Sequence, residues 1–185
     1  MVHDIIGKSL SDLSITTDDI FFLDSNILLW LYGGYSINQL DIYKVSVYSS
    51  FVSLLMQSGV DLWTSAGNLQ EVLNLVERRE FELYKIRTGN RNLRKKDYRK
   101  IPAERTNVKS KMNAVKSIIL SLCDVKRLVI TKEQINRFVS TVDSQYYDPM
   151  DFFVVENAIA NRRINILTDD RDFRNDNRIS VFTVI

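Results

Sequence analysis

Short, wholly apolar runs alternate along the chain with longer segments whose apolar residues recur every three or four positions. The first pattern belongs to strands buried on both faces, the second to helices packed along one stripe. Ile20-Phe21-Phe22-Leu23 is such a run and ends at Asp24. A helix is predicted through Leu28, Leu29, Trp30 and Leu31, with a stop at Gly33 and Gly34. Leu40, Tyr43, Val47, Phe51, Leu54 and Leu55 place a longer helix between Gln39 and Gln57, ended by Gly59. Val60 to Trp63 reads as the next strand. Ser65 caps a helix that starts at Ala66, and Thr88, Gly89 and Asn90 break its pattern. A further helix over Ala103 to Leu122 pairs with it as a helical arm, the connecting loop lying between Gly89 and Pro102. Thr131 with Gln134 makes a capping box for a helix to Val142. Asp148 and Pro149 open another, to Asn161. Ile164 to Leu167 and Ile179 to Val184 are the last strands. Strands separated by helices imply an open α/β fold with a mostly parallel sheet, whose chemistry gathers at the carboxyl ends of the strands.

Composition narrows that chemistry. With 185 residues, 45% of them hydrophobic, 6 Gly and 2 Pro, the chain reads as one compact domain over residues 1–185, able to build its core without a staple. Cys123 is the only cysteine and His3 the only histidine. Disulfide frameworks, multi-cysteine zinc sites and His-rich metal sites are excluded, and Ser-His-Asp or Cys-His machinery would have to draw its base from the N-terminal tail. Metal chemistry, if present, falls to carboxylates. The N-terminal segment carries Asp4, Lys8, Asp12, Asp18 and Asp19 without the basic-then-apolar order of a signal peptide. The richest apolar window, Ile20 to Tyr32, is interrupted by Asp24 and too short to span a bilayer. A cytoplasmic protein with no membrane partner is expected.

The charges are segregated. Between Glu77 and Lys116 fourteen Lys or Arg face five acids, a local charge of +9 against −7 for the remainder. A basic region at about 77–116 beside an acidic remainder suits a protein that attracts a polyanion to one place and handles cations in another. A solvated helix face explains the same run equally well.

Several acids fall where such a fold does chemistry. Asp24 follows one apolar strand and Asp169-Asp170 another; Asp148 and Asp151 open a helix; Glu71 lies in the second turn after Ser65. Singly they are helix caps, turn formers or surface residues. Gathered at one sheet edge, they would repel one another unless cations neutralised them. Oxygen donors without His or Cys select hard cations, Mg²⁺ or Mn²⁺, which can activate water and stabilise the leaving oxygen of a phosphodiester.

Four of these segments, taken in order, resemble the PIN-domain nucleases. Phe21-Phe-Leu-Asp-Ser-Asn-Ile-Leu28 is similar to that family's first strand and acid, and Asn68-Leu-Gln-Glu-Val72 to its helical glutamate. Asp151-Phe-Phe-Val-Val-Glu-Asn-Ala158 is similar to its Asp and Ala seven residues apart, and Leu167-Thr-Asp-Asp-Arg-Asp-Phe173 to its Thr-x-Asp-x-Asp-Phe ending. The resemblance covers Ile20 to Phe173 and skips the basic arm. It implies a three-layer α/β/α fold and a metal-dependent ribonuclease. Asp24, Glu71, Asp151 and Asp170 would hold Mg²⁺ or Mn²⁺, Asp148 and Asp172 would be secondary acids, and Asn26 and Thr168 would be polar support. Many bacterial members are toxins, so RNA, an antitoxin protein and a second copy in a homodimer are the partners it implies.

Two other readings remain open at this point. A haloacid dehalogenase-type phosphatase would use Asp24, Thr64 or Ser65, and Asp169 with Asp170, but that family's general acid would stand where this chain has Asn26. A non-catalytic RNA-binding module would keep the fold without turnover. In the basic arm Arg94, Lys95, Lys96, Arg99 and Lys100 are candidate phosphate contacts, and Tyr84 and Tyr98 candidate stacking platforms for bases. Tyr43, Tyr48 and Trp63 are expected in the core.

Overall fold

The computed structural model describes residues 1–32, 39–144, 146–160 and 165–185. The expected stop at Gly33 and Gly34, the helix end at Asn161 and the strand start at Ile164 lie outside the described residues. Six strands make one sheet: β1 (Val2–Asp4), β2 (Ile20–Leu23), β3 (Asp61–Ser65), β4 (Asp124–Lys126), β5 (Asn165–Leu167) and β6 (Ser180–Thr183). Their order is β1-β6-β5-β2-β3-β4, and every pairing is parallel. The described helices are α1 (Ser25–Tyr32), α2 (Gln39–Gln57), α3 (Ala66–Thr88), α4 (Lys95–Tyr98), α5 (Pro102–Leu122), α6 (Lys132–Thr141) and α7 (Pro149–Ala160), with a 3-10 turn at Asp172–Asn175. None of them is long and apolar enough to cross a membrane.

Helices cover both faces, which is why the strands read as continuous apolar runs. Neighbouring residues of a strand point to opposite faces. Phe21, Leu23, Leu62, Leu167 and Phe182 accordingly pack with Ile27 of α1, Tyr48 and Leu55 of α2, Val72 and Val76 of α3, and Val115 and Ile119 of α5. Phe22, Trp63, Ile166 and Val181 join Val154 and Val155 of α7 and Phe173 on the other face. Phe21 and Phe22 are both fully buried, and each such side chain contributes roughly 1.5–3 kcal/mol by leaving water. On the α7 side, α6 adds a further layer through Phe138 against Phe152, ring centroids 5.4 Å apart, and an Arg137–Glu156 ion pair.

The local signals act as expected at several helix starts. The Ser65 side chain accepts from Asn68 N–H at the start of α3, and Gly89 ends that helix in the left-handed region at φ 69°. Thr131 and Gln134 form the capping box of α6. Elsewhere the structure corrects the sequence reading. β1 and β4, at the two sheet edges, are additional strands. β3 extends to Ser65 because Thr64 and Ser65 pair with Val125 and Lys126. Helix α1 begins directly after Asp24, whose carbonyl accepts from Leu28 N–H. The loop of the arm contains the single turn α4. Tyr48 and Trp63 are buried, but Tyr43 is exposed on α2.

From β2 the chain moves outward through β3 and β4, then returns to β5 and β6 on the other side of β2. The loops leaving β2 and β5 therefore diverge, and the crevice between them lies at the topological switch point of the sheet.

Candidate active site

Strand register builds the centre of the site. Leu23 stands beside Leu167, so the residues that follow, Asp24 and Thr168, are neighbours at the carboxyl edge. Asp24 N–H donates to Leu167 O at 3.1 Å, and Thr168 Oγ1 donates to Asp24 Oδ2 at 2.6 Å. On the other side Phe22 pairs with Trp63, and the Thr64 hydroxyl donates to Leu23 O at 2.8 Å. Ser65 then starts α3, whose first turn carries Asn68 back to Asp24: Asn68 Nδ2 donates to Oδ1 at 3.0 Å. Ser25 N–H gives Oδ1 a second donor at 2.6 Å, and Asn26 Nδ2 gives one to Oδ2 at 2.8 Å. Asp24 is 5% exposed and its carboxylate accepts four hydrogen bonds, about its full capacity.

Burial pushes the Asp24 carboxyl up to about 6, against the pull of the Thr168 and Ser25 hydrogen bonds; nearby Asp170 and Glu71 push it further up. Asp151, half-buried in the first turn of α7, is pushed up to about 8, first by desolvation and then by Asp24, Asp148, Asp170 and Glu71. The structure thus brings Asp24, Glu71, Asp151 and Asp170 within electrostatic reach of one another. They come from four separate pieces: the end of β2, the exposed face of α3, the start of α7 and the turn after β5. Among the described residues none of the four makes an ion pair, and no three Asp, Glu, His or Cys side chains already close into a metal cage. The donor set fits a hard divalent cation: carboxylates alone, graded from buried to exposed, with charge left uncompensated.

The secondary candidates have local duties. Asp148 is exposed and caps α7, its Oδ1 accepting from Met150 N–H at 2.7 Å and Asp151 N–H at 2.9 Å. Asp172 N–H donates to Asp170 Oδ1 at 2.9 Å, and Asp170 N–H to Thr168 Oγ1 at 3.0 Å, so the turn after β5 winds around Thr168. The Asp172 side chain itself is exposed. Asn26 bridges the two loops, donating also to Thr168 Oγ1 at 3.2 Å and accepting from Asp169 N–H at 3.0 Å. An amide so engaged gives no proton to a leaving group, which removes the support for the phosphatase reading. Asn68 joins the site beyond the residues the sequence motifs single out; its signal is a polar side chain three residues after the Ser65 cap, whose Oγ also donates to Asn68 Oδ1.

In the arm, Glu77 is 3% exposed and gathers Lys95 at 2.9 Å, Arg99 at 2.5 Å and Arg105 at 2.7 Å. Arg94 and Lys100 both pair with Asp97. Four of the five candidate phosphate contacts are thus joined to acids of the arm itself. Lys96 is exposed with no ion pair among the described residues. Tyr98 is fully buried with Phe81 and Val108 in a small core of the arm and is no stacking platform for a base. Tyr84 packs against the Tyr98 ring at 5.4 Å and carries the Arg87 guanidinium 5.2 Å above its own ring.

No protein-family model and no curated protein matches the chain. Among solved structures it is similar to a chain in the crystal structure of VapBC2 from Rickettsia felis bound to a DNA fragment from their promoter. The TM-score is 0.53 at 13% identity, over 88% of this chain and 96% of that one. The fold is PIN-like. In this PIN-like frame Asp24 occupies the end of the central strand, with Thr168 and Asn68 supporting it from either side.

Proposed function

We propose that this PIN-like chain is a ribonuclease that works with Mg²⁺ or Mn²⁺ held by Asp24, Glu71, Asp151 and Asp170. The observation that carries the reading is the convergence of these four carboxylates at the switch point, where burial and the neighbouring acids raise Asp24 and Asp151 and none of the four is in an ion pair among the described residues. A divalent cation bound there activates water and stabilises the leaving oxygen of a phosphodiester. The chain's own part is to hold the acids. Coordination at Asp24 requires one of its four donors to give way, and Asn26 is the one whose side chain is half-buried rather than buried. Glu71 and Asp170 stand nearer solvent, where they meet the strand's phosphates only once their charge is offset. The exposed cations of the arm, Lys96 among them, bring in the RNA. The likeness to a VapBC2 assembly supports a toxin role with an antitoxin protein as partner.

The test is cleavage of a mixed-sequence fluorogenic RNA with Mn²⁺ or Mg²⁺. Asp24→Asn is a poor variant, because an amide placed among four donors unfavourably replaces one acceptor by a donor, at about 1–3 kcal/mol. Glu71 is exposed, so Glu71→Gln costs no more than about 0.5 kcal/mol of stability. Wild type is expected to cleave, EDTA to stop it, and Glu71→Gln and Asp151→Asn to lose roughly a hundredfold or more with folding retained. Equal cleavage by wild type and both variants refutes the assignment.

A further inference from the structure

The turn that carries Thr168 and Asp170 is tied to the body of the protein at the residue between them. Lys44 Nζ of α2 lies 2.6 Å from Asp169 Oδ2, and Tyr48 Oη, one turn along the same helix, donates to Asp169 Oδ1 at 3.0 Å. Tyr48 is fully buried, and its hydroxyl also lies 3.5 Å from Thr168 O and 3.4 Å from Thr183 Oγ1 while accepting from Val184 N–H at 3.1 Å. Asp169 N–H in turn reaches Asn26. One phenol therefore joins the carboxyl ends of β5 and β6, and one ammonium neutralises the acid flanked by two site residues.

This arrangement exceeds what packing needs. The Tyr48 ring belongs to the main core, whereas its hydroxyl is spent wholly on the two strand ends. The Lys44 side chain is 25% exposed, and its ammonium lies 5.9 Å from the Trp30 ring centroid, so the ring face and Asp169 hold the same charge in place. With Asp169 clamped on both oxygens, the backbone on either side has one course: Thr168 turns its hydroxyl to Asp24, and Asp170 N–H closes on Thr168 Oγ1. Groups that orient metal-binding side chains in this way commonly govern metal affinity by about 10–100-fold.

We propose that Lys44 and Tyr48 are positioning residues for the acidic site, acting through Asp169 to set Thr168 and Asp170. The proposal rests on the reading of that site as metal-binding. It makes a prediction of sign that simple electrostatics reverses. Removing a cation near a carboxylate cluster strengthens divalent-cation binding through space; releasing the turn weakens it.

The experiment titrates Mn²⁺ into the whole protein, following free Mn²⁺ by its paramagnetic resonance, for wild type, Tyr48→Phe, Lys44→Met and Lys44→Arg, well below their melting temperatures. Tyr48→Phe and Lys44→Met are expected to bind Mn²⁺ roughly tenfold more weakly, with Lys44→Arg restoring most of the loss. RNA cleavage should show the same fall in kcat at unchanged KM. Unchanged or tighter Mn²⁺ binding by both variants overturns the proposal while leaving the nuclease reading intact. Mn²⁺ binding that weakens as expected in a wild-type background that cleaves no RNA upholds the positioning role and removes the nuclease. A wild type that binds no Mn²⁺ overturns both.

Discussion

The Glu77 carboxylate is the junction of the basic arm, and its protonation should be visible in the stability of the whole chain. Its two oxygens receive Arg99 Nε at 2.9 Å, Arg99 Nη2 at 2.5 Å, Arg105 Nη1 at 2.7 Å and Lys95 Nζ at 2.9 Å. The Arg99 hydrogen bonds, helped by Lys95 and opposed by burial, hold it down to about 2 from an ordinary 4.5. A difference of that size corresponds to roughly 3 kcal/mol of folding stability. The partner side chains are 35%, 51% and 45% exposed, and solvent screening brings the figure to about 2 kcal/mol. The folded state holds the proton less readily than the unfolded chain does. The contribution is therefore full above pH 4.5 and lost as pH falls from there towards 2. Urea unfolding of wild type and Glu77→Gln at pH 7, 5, 4 and 3 measures it. A gap of about 2 kcal/mol at pH 7 should narrow to under about 1 kcal/mol at pH 3, because glutamine has no proton to gain. A gap that stays constant over this range refutes the assignment of the ion cluster as the stabilising element.

Two further outcomes follow from the arm. The Tyr98 hydroxyl is buried without a hydrogen-bond partner among the described residues, so Tyr98→Phe should leave stability unchanged or raise it by up to about 1 kcal/mol, and leave RNA affinity unchanged; thermal unfolding and a filter-binding titration check both. Lys96→Glu should weaken RNA binding and lower its salt slope by about 1–2 without moving the melting temperature, whereas Lys95→Glu should also destabilise the fold through Glu77; equal melting losses for the two variants contradict this division.

Much of the frame was legible because local chemistry and tertiary position agree. Ile20 to Leu23 is apolar throughout since both its faces are covered, and Ser65, Thr131 and Asp148 cap helices with their own side chains. β1 and β4 could not be read this way. Each has three residues, too few for a period, and exists because a distant strand offers a ladder, Val181 to Thr183 for β1 and Trp63 to Ser65 for β4. The four acids were legible from their places after strands and at helix starts. Their supporting shell was less so: nothing in the spacing of Lys44, Tyr48 and Asp169 indicates that 125 and 121 residues of separation close to hydrogen-bond distance. The arm was legible as charge but not as contacts. A run of cations suits a polyanion surface or a solvated helix face equally, and the fold pairs several of them with Glu77, an acid that charge counting treats as a minor offset.

The order of strands in the sheet also fixes an order in biosynthesis. β2, which carries Asp24, lies between β3 and β5, and Thr168 leaves the ribosome long after Asp24 does. The arm can form early, since its contacts are local, but the sheet edge that orders Asp24 waits for residues 165–185. A nascent chain halted before Thr168 has Asp24, Glu71 and Asp151 but lacks Thr168 and the turn bearing Asp170, so the acidic centre is completed only when the last strands join the sheet.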